Sequence, residues 1–121
     1  MQLKDQFQAF VDLLNQGKSI EAIERFFEED IQQYENNILS ISGKTKALEI
    51  EQQNLDRVHD FKVEFRNVGI DEDKGFVWGE MILSFTSIKS GAMRLEEAFF
   101  QQWNNGKIKT QKFFYKEIVK A

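Results

Sequence analysis

Apolar residues in the first third of the chain recur at helical spacing. Leu3, Phe7, Phe10 and Leu14 fall on one stripe, and Gly17 stands where a left-handed cap costs least, so the pattern predicts a first helix ending there. A second helix is predicted after it, with Ser19 as N-cap and Glu21 in the first turn. Its apolar face is Ile20, Ile23 and Phe27, and the acidic run Glu28-Glu29-Asp30 stops it. Ile31 to Asn36 alternates loosely and predicts a short strand. After Ser42-Gly43, a third helix carries Leu48, Leu55 and His59 on one stripe with Val58 beside it, which puts His59 near that helix's C-terminal end.

From Phe61 onward the period changes to two. Phe61, Val63 and Phe65 alternate with Lys62, Glu64 and Arg66, and the polar turn Asp71 to Gly75 leads into a strand over Phe76 to Phe85. A third long strand, Met93 to Asn104, meets a fourth, Lys107 to Ile118, through Asn105-Gly106, which suits a type I′ turn. If Trp103 faces Ile108, Phe99 and Glu97 share a face with Phe114, while Ala98, Phe100 and Glu96 share the other with Phe113 and Tyr115. Both faces are partly apolar. One is therefore expected to pack on the helices and the other to meet a second subunit.

Composition narrows the classes. A chain of 121 residues, 41% hydrophobic and 30% charged, suits one globular domain over 1–121 with a real core. The net charge of −4 argues against general attraction to nucleic acid or anionic membrane, and no segment approaches the roughly 18 apolar residues of a span. Neither nucleic acid nor membrane is an expected partner, and a cytoplasmic location is expected. Cysteine is absent, which removes disulfides, thiolate nucleophiles and cysteine-metal sites. A single histidine excludes the usual multi-histidine zinc sites.

The order helix, helix, short strand, helix, then long antiparallel meander resembles the cone-shaped α+β barrel of the nuclear transport factor 2-like superfamily, in its SnoaL-like branch. Phe26 to Asn36 looks like the family segment in which the second helix ends in an acidic pair and runs into a strand bearing an acidic residue. Ser42-Gly-Lys-Thr-Lys46 matches the glycine-led entry to the third helix. Trp103-Asn-Asn-Gly-Lys-Ile108 with Phe113-Phe-Tyr115 matches the last hairpin. The resemblance implies a curved, mainly antiparallel sheet with helices packed on it and a mostly aromatic cavity. The family includes ketosteroid isomerase-like and polyketide cyclase-like enzymes, dehydratases and non-catalytic members, so the fold does not give the function. In isomerase-like members an aspartate at the end of the first strand takes a proton next to a carbonyl, and the matching position here is Glu35, with Asn36 where a proline is frequent.

Two readings stay open at each candidate. Glu35 is either a general base with a raised pKa or a solvated strand-end charge. His59 is an acid, a base or a ligand donor, or else a surface histidine near a helix end. Tyr34 and Tyr115 supply an O–H inside a pocket or sit at an interface. Trp78 shares a strand face with Glu80 opposite the apolar row Val77, Met81, Leu83 and Phe85, and is either dimer-facing or a stacking wall. One of Glu96 and Glu97 must point inward and needs a partner, for which Arg94, Lys112 or Tyr115 could serve. The reading carried forward has Glu35 and His59 as catalytic candidates and Tyr34, Trp78, Glu97, Phe99 and Tyr115 as ligand-binding ones, with no metal and no cofactor. The expected partners are a small apolar or aromatic molecule and a second copy of the chain. On that reading the protein is a cofactor-independent isomerase, cyclase or dehydratase, and the alternative is a non-catalytic binding or interaction module.

Overall fold

The computed structural model describes residues 2–121. Helices α1 (Leu3–Asn15) and α2 (Ser19–Phe26) lead directly into β1 (Phe27–Glu35). Strand β2 (Ile38–Ser42), helix α3 (Lys44–Leu55) and strands β3 (Val58–Asp71), β4 (Phe76–Ser87), β5 (Gly91–Asn104), β6 (Lys107–Phe114) and β7 (Val119–Lys120) follow. The sheet runs β2-β1-β6-β5-β4-β3, with the short β7 added to β5, and among the described residues only the β1–β6 pairing is parallel. One face of this mixed sheet wraps the helices. The fold is α+β, as expected.

The amphipathic pattern explains the packing. Leu3, Phe7, Phe10 and Leu13 of α1 and Ala22, Ile23 and Phe26 of α2 are buried against the concave face. There Phe7 stacks on Phe99 with ring centres 6.1 Å apart, and Phe10 meets Trp103 edge-on at 6.2 Å. Phe27 is not on the α2 face. It is buried as the first residue of β1, and Phe26 takes the helical position, because the helix passes into the strand with no loop. The carboxylate of Glu72, in the β3–β4 turn, accepts the Leu3 and Lys4 N–H groups and so caps α1 from outside it. At the other end of α1, Asn15 Oδ1 accepts the Val63 N–H at 3.0 Å.

Three departures from the sequence pattern bear on the site. First, α3 ends at Leu55, and His59 lies in β3 opposite Thr86 with a largely exposed side chain. Its supposed helical stripe is thin, since Ala47 is the one fully buried side chain of α3, and the aromatic and β-branched run from Val58 pairs with β4 instead. Second, β2 forms where no strand was expected. Asn36 and Asn37 both adopt positive φ (52° and 68°), the geometry of a tight hairpin turn, and return the chain along β1. Third, Trp103 does face Ile108, but Lys109 is an extra residue in β6. Gln102 faces Thr110, and from there Gln101 faces Gln111 and Phe99 faces Phe113. That slip by one residue puts Phe113, not Phe114, on the face of Phe99 and Glu97, and sends Phe114 to the outside.

Candidate functional site

The wide end of the cone is where β1 and β6 finish and β3 begins. Glu35 is the last residue of β1 and faces Phe113 of β6, which faces Phe99 of β5. Just past Glu35, Asn36 donates its N–H to the Phe113 carbonyl at 2.8 Å and accepts the Tyr115 N–H on Oδ1 at 3.0 Å. These two bonds hold Tyr115 after β6 has ended. The Tyr115 hydroxyl then donates to Glu35 Oε1 at 3.3 Å.

Glu97 joins the pair from β5. It lies opposite Met81 in register, two residues from Phe99, and therefore projects from the concave face, whereas Glu96 projects outward and accepts from Arg94 at 2.8 Å. Glu97 Oε2 is sealed from solvent without a hydrogen-bond partner. Burial, and then the charge of Glu35, push the Glu97 carboxyl from its ordinary 4.5 up to about 7. The Tyr115 phenol is also pushed up, by burial first and then by the charge of Glu35, its hydrogen bond to Glu35 and the charge of Glu97. Two carboxyls and a phenol thus share one neighbourhood, in which burial and the charge of Glu35 favour the protonated form of Glu97.

Beneath this cluster lies a row that the sequence reading did not identify. Gln101, Gln111 and Gln33 stand opposite one another on β5, β6 and β1, facing the interior. The Trp103 indole Nε1 donates to Gln101 Oε1 at 3.0 Å, Gln101 Nε2 to Gln111 Oε1 at 2.8 Å, and Gln111 Nε2 to Gln33 Oε1 at 2.9 Å. Gln101 and Gln111 are only 2% and 4% exposed. The available signal was the i, i+2 spacing of Gln101 with Trp103, but the Lys109 bulge hid the pairing with Gln111.

Of the residues singled out from sequence, Glu35, Glu97, Tyr115 and Phe99 share the concave side, with Phe99 buried as its floor between Phe7 and Phe65. The other three lie elsewhere. Tyr34 is on the outer face under the Lys112 ammonium, 5.7 Å from its ring centre. Trp78 is on the outer face, 44% exposed, with its indole over Gly69, where a Cβ would come within 2.4 Å of the ring. His59 is bonded to Asp60 at 2.9 Å on the surface. Alternation turns Tyr34 and Trp78 outward, whereas His59, which has the parity of Phe61 and Val63, is turned out by the bulge between His59 and Lys62, where Asp60 adopts a φ of 56°. Two surface depressions lie apart from Glu35 and Tyr115. One, about 590 Å³, is at the closed end between Leu3, Gly75 and Gly106, and one of about 340 Å³ is bordered by Arg66, Asn67, Glu80 and Glu96 and also reaches Glu97. Among the described residues, no helix is long and apolar enough to cross a membrane.

No protein-family model matches the sequence, and no curated protein matches it. Solved structures do match. A protein described as a SnoaL-like polyketide cyclase from Mesorhizobium loti superposes with a TM-score of 0.73 at 24% identity, over 95% of this chain and 100% of that one. An LEH-like epoxide hydrolase of M. tuberculosis gives 0.75 at 18% identity, covering 93% and 76%. An NTF2-like protein of unknown function from Exiguobacterium gives 0.75 at 13% identity, covering 93% and 98%. At these identities the likeness is one of fold: the chain has the nuclear transport factor 2-like α+β architecture.

Proposed function

We propose that this chain binds a small, mainly apolar molecule at the wide end of its cone and moves a proton on it, with Glu35 and Glu97 as the acid–base pair. The convergence of two carboxyls and a phenol on the concave face, one carboxyl held near 7, is the observation that carries this reading. Glu35 takes a proton from carbon next to a ligand carbonyl, and the released electron pair moves onto the carbonyl oxygen. Protonated Glu97 returns a proton to that oxygen or to another carbon of the same molecule. Tyr115, bonded to Glu35, orients the base. An isomerase, cyclase or dehydratase needs this kind of step, and the polyketide cyclase name of one solved structure fits it. His59, exposed and bonded to Asp60, has no part in it.

Deuterium exchange on β-tetralone, whose acidic C–H lies beside a carbonyl, tests the reading. The protein is expected to accelerate exchange over buffer, and Glu35→Gln to abolish the acceleration while keeping the fold, since the amide preserves shape but cannot take the proton. Exchange at the buffer rate, or unchanged exchange in Glu35→Gln, would overturn it.

A second reading, a non-catalytic binding or interaction module, is favoured by the outer face. Trp78 and Phe114 are exposed there, and Phe76 and Phe100 pack edge-on at 5.0 Å beside them. Two copies paired through this face would cover these rings, and such a homodimer is compatible with either reading because it leaves the concave side free.

A further inference from the structure

We propose that the side-chain amide of Gln33 is a pre-set hydrogen-bond donor for an acceptor oxygen of the ligand, a carbonyl or the enolate formed from it, and that Trp103 sets it through the intervening amides. The inference rests on the proton-transfer reading for its ligand class. The donor itself follows from the hydrogen bonds alone.

An isolated glutamine presents its oxygen or its NH₂ to a neighbour with nearly equal ease. An indole nitrogen has no such freedom, because it only donates. Trp103 Nε1 therefore requires the oxygen of Gln101, which turns the Gln101 NH₂ toward β6. That NH₂ requires the oxygen of Gln111, whose own NH₂ in turn requires the oxygen of Gln33. Turning any one amide over would set donor against donor in a buried row, at the cost of an unsatisfied polar group. Orientation thus passes across three strands and ends on Gln33 Nε2, which among the described residues donates to no atom and is not among the side-chain atoms sealed from solvent. Gln33 is half-buried, on the same face of β1 as Glu35 and two residues nearer the closed end, about 7 Å along the strand. An acceptor oxygen on Gln33 Nε2 leaves the neighbouring carbon of a small ligand within reach of the Glu35 carboxylate. Each bond of the row also polarises the next, which strengthens the terminal donor. A donor fixed before the ligand arrives needs no reorganisation as charge develops on the oxygen.

Two probes of similar shape separate the donor from simple apolar burial: β-tetralone, which carries the carbonyl, and tetralin, which lacks it. In isotope-labelled protein, β-tetralone is expected to move the Gln33 side-chain amide resonances and to bind about three- to tenfold more tightly than tetralin, the usual return of one net hydrogen bond. Trp103→Phe should bring that ratio to about one, leave tetralin affinity unchanged, and move the Gln33 amide resonances even without a probe, which a purely packing role for the indole would not do. Should Trp103→Phe fold poorly, Gln33→Glu carries the test, since the carboxylate still accepts from Gln111 but has no N–H to offer. Equal affinities in the wild type, or a ratio preserved in Gln33→Glu, would overturn the inference. If neither probe moves a concave-face resonance at millimolar concentration, the binding reading falls and the inference with it. If the ratio holds but deuterium exchange runs at the buffer rate, the proton-transfer reading falls and the donor stands.

Discussion

Tyr115 Oη and Glu35 Oε1 lie 3.3 Å apart although 80 residues separate them in sequence. The bond spans the parallel pairing of β1 with β6, and the Asn36 side chain braces it by accepting the Tyr115 N–H. Removing the Glu35 charge should therefore be felt at the phenol. In the phenolate absorbance difference between wild type and Tyr115→Phe, the midpoint is expected above the ordinary 10.0, and Glu35→Gln should move it partway back. Burial, the first cause of the shift, remains in that variant, so a full return would show that Glu35 dominates.

Glu97 links the site to stability. Its folded-state pKa, about 7, lies above the ordinary 4.5, so between these values the folded state keeps a proton that the unfolded chain has lost. Below about 4.5 the two states are protonated alike, and stability falls as pH rises through the window to about 7. Denaturant titrations at pH 5 and pH 8 should show this fall, on the order of 2 kcal/mol, and Glu97→Gln should flatten it. An unchanged slope in the variant would place the titration on another group.

In the core, Phe10 touches Phe26, Phe27 and Trp103 and is only 5% exposed. Phe10→Ala should cost about 3 to 5 kcal/mol in denaturant titration, since it removes a ring that joins both helices to the sheet. A loss below about 1 kcal/mol would mean that the neighbouring rings collapse into the space.

Assembly is tested on the outer face. Light scattering at micromolar concentration is expected to give twice the 14.3 kDa chain mass, and Trp78→Lys to give the monomer with an unchanged far-ultraviolet spectrum. A monomeric wild type would remove the dimer from the account.

Periodicity made much of the fold legible. Most of the α1 stripe, the Asp71 to Gly75 turn and the Asn105-Gly106 hairpin follow from local chemistry, and so does the placement of an acidic residue at the end of β1, whereas the α2 pattern extends one residue too far, to Phe27. What stayed hidden was non-local. A single bulge at Lys109 reverses which of Phe113 and Phe114 faces the interior, and no property of Lys109 announces it. Helical spacing at Leu48 and Leu55 carried the prediction too far, to His59, because the competing partner, Thr86 on β4, lies 27 residues away. The glutamine row was invisible for the same reason: its members are polar in sequence and become interior only by pairing with one another.

The parallel seam between β1 and β6 has a kinetic consequence. Phe27 pairs with Ile108 and Glu35 with Phe113, so the strand that carries the proposed base cannot complete its inner edge until nearly the whole chain is available. β2 and the helices protect β1 on one side only, and its other edge waits for the last hairpin. Closing loops of this length precedes any reward from the contacts they make, so this seam is expected to form late in folding. A chain stopped before Lys107 would expose the β1 edge beside buried aromatic surface, the condition under which strands pair with the wrong partner. Loss of the final hairpin is thus expected to lead to aggregation as well as inactivity, because one seam both builds the site and closes the sheet.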